Sequence, residues 1–360
     1  MVQGFKNNSS RRSMMRFYDQ QHEFYCGIDL HTRKMYLCIF DREGNKQLHR
    51  NMRAKPSEFL RAVEPFREDL IVGVECMFTW YWLADLCLDE NIKFILGHAL
   101  YMKAIHGGKK KDDKIDSEKI ARLMRGGTFP LSYVYPREMR ATRDLLRRRT
   151  FLMRRRSELL AHVQLVNQQY NHDPFEKMLQ FASNRDVLDR FELDSARQNV
   201  QADLQMIGHY DQLLKQLESN LLQQAKLQDP QAYNLLRTIP GVGKILSLVL
   251  LYEIHIIDRF ASEGDLLSYA RLVTPKQTSD GKVTGHSGAK IGNPHLKWAF
   301  SEAVLMMMRH CENAQQFVAR KEKKYGKSRA MTMLARKIAR AVYQMLKRKE
   351  AFDAVKFFAN

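Results

Sequence analysis

Four carboxylates in the first third of the chain stand where stability alone does not call for them. Asp29 lies inside Phe24-Tyr25-Cys26-Gly27-Ile28-Asp29-Leu30, an apolar stretch that reads as a strand, where aspartate is disfavoured. Strand alternation puts Tyr25, Gly27 and Asp29 on one face. An acid there costs stability unless it is paired or holds a cation. Glu75 closes the apolar run Leu70 to Val74, so it projects at a sheet edge. Asp113 and Asp116 are three residues apart at the start of a predicted helix over Ile115 to Met124, which puts both on one helical face. Hard divalent cations, Mg²⁺ or Mn²⁺, take oxygen donors of this kind. Two such metals bridged by these acids polarise a phosphodiester and activate an attacking oxygen. Each acid also has a plainer reading: Asp113 with Asp116 fits a capping box, Glu75 a solvated strand end, and Asp29 a satisfied structural acid. The case for metal rests on the set, which an α/β sheet would converge on one place.

Two further motifs bear on phosphate. Ile239-Pro240-Gly241-Val242-Gly243 precedes Lys244 and an apolar helix. Glycines let a backbone approach closely, and amides at a helix start point at an anion. This is the turn of a helix-hairpin-helix, which grips DNA backbone without reading bases; an ordinary loop before a helix is the other reading. Pro275-Lys276-Gln277-Thr278-Ser279-Asp280-Gly281-Lys282 sets hydroxyls among cations. A serine attacking phosphate needs positive charge nearby, and Lys276, Lys282, His286 and Lys290 are the candidates. By pattern alone, Ser279 reads as a turn residue before it reads as a nucleophile.

The elements that must position these residues fall into zones. Residues 1–21 read as a flexible basic arm. Residues 22–135 carry strands at 24–30 and 34–40, a turn at 41–45 before a third strand, a helix from Pro56 to Arg67, a buried strand at 70–75, a helix at 80–88 and a short strand at 93–96. That order predicts a mixed α/β domain with helices covering a sheet. Residues 136–233 are rich in Leu, Gln, Arg and Glu. Ile207, Tyr210, Leu214, Leu217 and Leu221 form an a/d seam as in a coiled coil, and Leu152, Leu159, Val163, Val166 and Tyr170 a less regular one. Residues near 172–194 break the two helices, which pack on each other or on another subunit. Residues 234–360 begin at the glycine turn, continue through a loop between Thr274 and Pro294, and end in helices rich in Lys and Arg.

Composition narrows the class. The 360 residues suit two or three domains, and 44% hydrophobic content builds cores. The net charge of +19 (59 Lys and Arg against 40 Asp and Glu) calls for a polyanionic partner, nucleic acid before a membrane surface. No apolar run reaches the roughly 20 residues of a spanning helix, and the N-terminus lacks a secretory core. Five cysteines, none in a two-residue-gap pair, speak for reduced thiols in a cytosolic protein rather than disulfides or a zinc ribbon.

From about Tyr25 to Phe352 the chain resembles the DEDD-type insertion-sequence transposases (the "IS one-ten" family), which include pilin-gene invertases and RNA-guided bridge recombinases. Gly27-Ile28-Asp29 and Val74-Glu75 resemble the first two acid motifs. Lys111-Asp112-Asp113-Lys114-Ile115-Asp116-Ser117 is similar to the signature Lys-Thr-Asp-x-x-Asp-Ala, with Asp112 and Ser117 as departures. Ile239 to Gly243 looks like the start of the C-terminal domain, and Ala289-Lys290-Ile291-Gly292-Asn293 with Leu296 resembles its glycine-asparagine motif.

The resemblance implies an RNase H-like, RuvC-type N-terminal domain, a coiled-coil insertion that assembles a homodimer or homotetramer, and a C-terminal transposase domain carrying a serine. It implies that this serine joins covalently to a DNA strand, while Asp29, Glu75, Asp113 and Asp116 with Mg²⁺ act on the same phosphate from a partner subunit. Relatives carry a serine-glycine pair where this chain reads Ser279-Asp280-Gly281; aligning on Gln277 places Ser279 there, with Ser287 as the alternative. Donor and target DNA are the implied partners, with a structured noncoding RNA pairing to both, in a prokaryotic cytoplasm at the nucleoid. Two other functions fit the same residues: a metal-only nuclease such as a junction resolvase, and a non-enzymatic basic DNA- or RNA-binding protein.

Overall fold

The computed structural model describes residues 16–105, 112–273, 276–279, 282–286 and 291–359. The chain divides into two compact units, Met1–Arg137 and Glu138–Asn360.

The first unit is built on a seven-stranded sheet. Its strands are β1 (Phe17–Tyr18), β2 (Phe24–Leu30), β3 (Lys34–Asp41), β4 (Lys46–Arg53), β5 (Leu70–Glu75), β6 (Lys93–Gly97) and β7 (Phe129–Ser132). The spatial order is β1-β7-β6-β5-β2-β3-β4. β2, β3 and β4 are antiparallel neighbours, whereas β2, β5 and β6 run parallel. The parallel strands need crossovers, supplied by α1 (Pro56–Val63) and α2 (Tyr81–Asp89). α3 (Ala99–Ile105) and α4 (Asp113–Arg125) follow β6.

The central strands are apolar on both faces because both faces are covered. Cys26, Ile28, Val72 and Val74 pack with Phe59, Val63, Leu83 and Cys87 of α1 and α2. Tyr25, Cys38, Phe40 and Ile71 pack with Ile120, Ala121 and Met124 of α4. The sheet reaches further back than the sequence indicates. Phe17–Tyr18, read as part of a basic arm, pairs with Phe129 and Pro130, and Tyr18 and His22 are buried. The Tyr18 hydroxyl and Asp69 flank the His22 ring at 2.5 and 2.6 Å, and this local network ties residues 17–22 to the starts of the strands.

Among its described residues the second unit is helical apart from one ribbon. α5 (Arg137–Gln169) and α6 (Asp194–Gln228) are joined by a segment with short 3₁₀ turns. Val163 and Val166 of α5 pack with Val200 and Ile207 of α6, and with Leu179 and Phe191 from the connecting segment. These seam residues are thus buried within one chain. The rest comprises α7 (Pro230–Arg237), α8 (Lys244–Ile254), α9 (Glu263–Tyr269), α10 (Pro294–His310), α11 (Glu312–Tyr325), α12 (Lys327–Arg348) and α13 (Ala354–Phe358). Their core takes in Leu146 of α5 and Leu221 of α6, so the long helices and the C-terminal helices form one unit where sequence zones suggest two. The stretch read as a loop between Thr274 and Pro294 contains an antiparallel pair, β8 (Lys276–Ser279) and β9 (Lys282–His286). Thr278, Val283 and Thr284 are β-branched and favour that extended backbone. No described helix is long and apolar enough to cross a membrane.

Candidate active site

Two glycines set the site. β2 and β5 are parallel, with Gly27 opposite Gly73 and Ile28 opposite Val74. α4 lies so close to this face that a Cβ on Gly27 would overlap the Ser117 carbonyl and the Ala121 amide, and one on Gly73 would overlap the Met124 side chain. Two residues beyond each glycine, on the same face, come Asp29 and Glu75. Each is the position after the Ile28–Val74 pair, so Asp29 lies one residue before the end of β2 and Glu75 ends the neighbouring β5. The helix that covers the glycines begins at Asp113, one turn before Ser117.

Asp112 caps that helix: its carboxylate accepts a hydrogen bond from the Lys114 amide at 3.0 Å. The capping reading of Asp113 and Asp116 is therefore replaced by a division of labour, with Asp112 serving the helix terminus. Asp113 and Asp116 fall within the first turn, where negative charge also suits the helix dipole.

Three groups converge. His31 Nε2 lies 3.3 Å from Asp29 Oδ2 and 3.4 Å from Asp113 Oδ1. Asp29, His31 and Asp113 each offer a ligand atom within 4.8 Å of the others. The Asp29 carboxyl is raised above its ordinary range, first by burial and further by the negative charge of Asp113 and Asp116, with His31 opposing. Asp116 Oδ1 accepts from Lys119 Nζ at 3.1 Å. Glu75 joins through its strand register and has its own partners. His31 was not singled out in the sequence, although its signal was there: it stands two residues after Asp29, on the same face of the strand end.

A second cluster, Cys38 of β3, His49 of β4 and Glu118 of α4, shows what a satisfied site looks like. Glu118 is held by Lys46 at 2.7 Å and by two Arg122 nitrogens at 3.0 and 2.8 Å. The Cys38 thiol is pushed up to about 12, by burial first and then by Glu118. Two cations already neutralise the carboxylate and the thiol stays protonated, so this donor set is poor for a metal. The Asp29 set has oxygen donors and mutual repulsion that a divalent cation would relieve, and it fits such an ion.

The phosphate motifs lie in the second unit. Gly241 has φ +84°, and a Cβ there would overlap the backbone of Ala303, Met306 and Met307 in α10. Its freedom thus serves close helix packing. Gly243 and Lys244, at the start of α8, are exposed, and nothing lies near a Cβ on Gly243. Lys276, Ser279 and Lys282 lie on the ribbon strands, with Ser279 opposite Lys282. Asp280, Ser287 and Lys290 lie outside the described residues.

The glycine-asparagine motif proves structural. Gly292 (φ +100°) passes against the Tyr269 carbonyl, and Asn293 caps α10 while donating to Glu253 at 2.7 Å. Glu253 is buried and also accepts from Arg143 at 3.0 Å and Arg147 at 2.7 and 2.8 Å. Burial alone would raise this carboxyl; Arg147, Arg143 and Asn293 outweigh it and hold it at about 2.

Two family models match the chain. One, for IS110-type DEDD enzymes and described as Transposase, covers residues 26–172; the other, Transposase IS116/IS110/IS902 family, covers residues 233–319. Together they span well over half of the sequence. No curated protein matches it.

Proposed function

Since the chain belongs to the IS110 family of DEDD transposases, we propose that it cuts and rejoins DNA through a serine-linked intermediate, with Asp29, Glu75, Asp113 and Asp116 as the metal-binding acids. The observation that carries this reading is the convergence of Asp29 and Asp113 on His31, with Asp116 acting on Asp29 and Glu75 ending the adjacent strand. The strand order, three antiparallel strands followed by two parallel ones, supports an RNase H-like domain of the RuvC type.

Asp29 and Asp113 would supply the first oxygens to Mg²⁺ or Mn²⁺, and Glu75 and Asp116 would complete the set. When bound, the ion supplies Lewis-acid polarisation of a phosphodiester oxygen. Partial burial keeps Asp29 from bulk water, which strengthens its hold on a cation. Ser279 Oγ attacks phosphorus, the bond to one deoxyribose oxygen breaks, and the freed strand end takes the proton. Lys276, Lys282 and Lys290 oppose the charge that develops on the phosphate. Gly243 and Lys244, in a helix-hairpin-helix turn with Gly241, hold DNA backbone. A structured noncoding RNA pairs with donor and target DNA, and a homodimer or homotetramer brings the acids of one subunit to the serine of another. The net charge of +19 supports both polyanionic partners.

The test is recombination of supercoiled donor and target DNA with the RNA transcribed from the element's flank and Mg²⁺. Wild type yields recombinant joints and a protein–DNA adduct that survives denaturation. Ser279→Ala yields neither. Normal recombination by Ser279→Ala overturns the serine assignment.

A second reading is favoured by one observation: all four acids lie in the first unit, Met1–Arg137, so the carboxylate set needs nothing from the serine. A metal-only nuclease would still cut as Ser279→Ala, and would leave no adduct.

A further inference from the structure

We infer that the joint between α11 and α12 binds the DNA backbone through Arg320, Lys321, Lys323, Lys324, Lys327 and Arg329. It lies just beyond the end of the C-terminal family match at residue 319.

The first ground is the imbalance of charge. Between Arg320 and Arg329 there are six cations and one acid, Glu322. Five of the six side chains are exposed and Lys321 is half-buried. None of the six forms an ion pair or a side-chain hydrogen bond with another described residue.

The contrast with α5 is the second ground. That helix is also arginine-rich, but many of its arginines pair with acids of the same chain: Arg143 and Arg147 with Glu253, Arg149 with Glu218, Arg155 with Glu158 and Arg156 with Asp211. Much of the basic charge of α5 is thus matched by acids of the fold, whereas that of the joint is not.

Third, the joint carries cations past the end of α11 into the start of α12, where the helix does not favour them. α11 ends at Tyr325, Gly326 turns the chain with φ +80°, and α12 starts at Lys327 with no acid in its first turn. Cations suit the end of α11, but Lys327 and Arg329 oppose the dipole at the start of α12. Nearby, Lys337 packs over Phe317 and Phe357 at 5.3 and 5.2 Å. Burial first, and then the neighbouring charges of Arg320 and Lys321, lowers its pKa. A polyanion laid across the joint relieves this repulsion.

The underside of the joint (Ala314, Phe317, Val318 and Ala330) packs into one core, which leaves the cations on the outer face of both helix ends. Phe317 and Phe357 are buried, and the exposed ring of Tyr325 at the joint is covered by Lys324 Nζ at 5.3 Å, so none of the three offers an open platform for splayed bases. That favours the backbone of duplex DNA over an unstacked single strand. The inference rests on the family's DNA substrate.

The experiment measures affinity for a labelled DNA duplex of arbitrary sequence across a salt series. It uses the full chain, K323Q/K324Q/K327Q/R329Q, and the charge-preserving K323R/K324R/K327R/R329K. Circular dichroism checks that all three fold alike. For every phosphate that is no longer neutralised, the salt slope should fall by about 0.9. The neutralised variant is expected to fall by roughly 2 to 4 in slope, for two to four such phosphates, and the charge-preserving one to match wild type. An unchanged slope in a folded neutralised variant overturns the inference while wild-type binding leaves the DNA-substrate reading standing. Wild type that fails to bind duplex DNA sinks that reading, and the inference with it. A weakening confined to a hairpin RNA probe of equal length also overturns the assignment to DNA.

Discussion

His31 Nε2 stands 3.3 Å from Asp29 Oδ2, so β2 and the residue that directly follows it supply both a carboxylate and an imidazole to the site. Asp113 Oδ1, at 3.4 Å from the same nitrogen, ties that strand end to the start of α4. The site therefore depends on how closely α4 lies on the sheet.

Asp29→Asn and Asp113→Asn remove ligand charge with little change of shape. DNA cleavage should fall by at least about 10²-fold, the scale of losing one preorganised charge-stabilising group. Duplex binding should hold, because the cations that carry it lie elsewhere. Thermal stability of Asp29→Asn without metal should equal or exceed wild type, since its ionised form is disfavoured by burial and by Asp113 and Asp116. Cleavage assays, binding titrations and melting curves check the three parts.

Asp112→Ala and Asp113→Ala should separate cap from catalyst. Losing the Asp112 cap costs about 1 kcal/mol of stability and leaves the acids in place. Asp113→Ala should leave the cap intact and abolish cleavage. Denaturant unfolding beside a cleavage assay distinguishes them.

Gly27→Ala tests the packing that sets the site. Its Cβ meets backbone of α4, which cannot move aside as a side-chain tip can. Overpacking of this kind costs about 1–3 kcal/mol. Cleavage should drop further than the folded fraction does, because α4 carries Asp113 and Asp116. The comparison to make is activity per folded molecule.

Glu253 sets an acid limit on the second unit. Its carboxyl in the fold, at about 2, lies below the ordinary value near 4.5. The stability it contributes is therefore fully present above about pH 4.5 and is lost as pH falls toward 2. Glu253→Gln should flatten the acid-unfolding curve in that window. Glu253→Ala at neutral pH should cost about 3 kcal/mol, the lower end for breaking a buried ion pair, because the half-buried Arg143 and Arg147 lose the carboxylate they share.

Much of this was legible in the residues. Strand alternation placed Asp29 on the face of Gly27, and the run Leu70 to Val74 placed Glu75 at a strand end; the structure adds that the two strands are parallel neighbours in register. The helix at Asp113 was visible, but its cap was not: three aspartates crowd residues 112–116, and only backbone geometry decides that Asp112 does the capping. The closeness of α4 explains the two glycines, yet a glycine in a strand does not say which element approaches it. Gly292-Asn293 reads as a motif without a role, because its partner Glu253 lies 40 residues away and inside an apolar helix. The Phe17–Tyr18 strand escaped notice because two residues carry no periodicity. The joint of α11 and α12 is only a charge run in the sequence, because pairing across a fold decides which cations are already neutralised.

The central claim is tested most directly by titrating Mn²⁺ into the protein at neutral pH and following free Mn²⁺ by electron paramagnetic resonance. Wild type and Asp112→Ala are predicted to bind the ion saturably, and the D29N/D113N double variant to lose that binding. Equal Mn²⁺ binding by the folded double variant and wild type would contradict the assignment of these acids as the metal site.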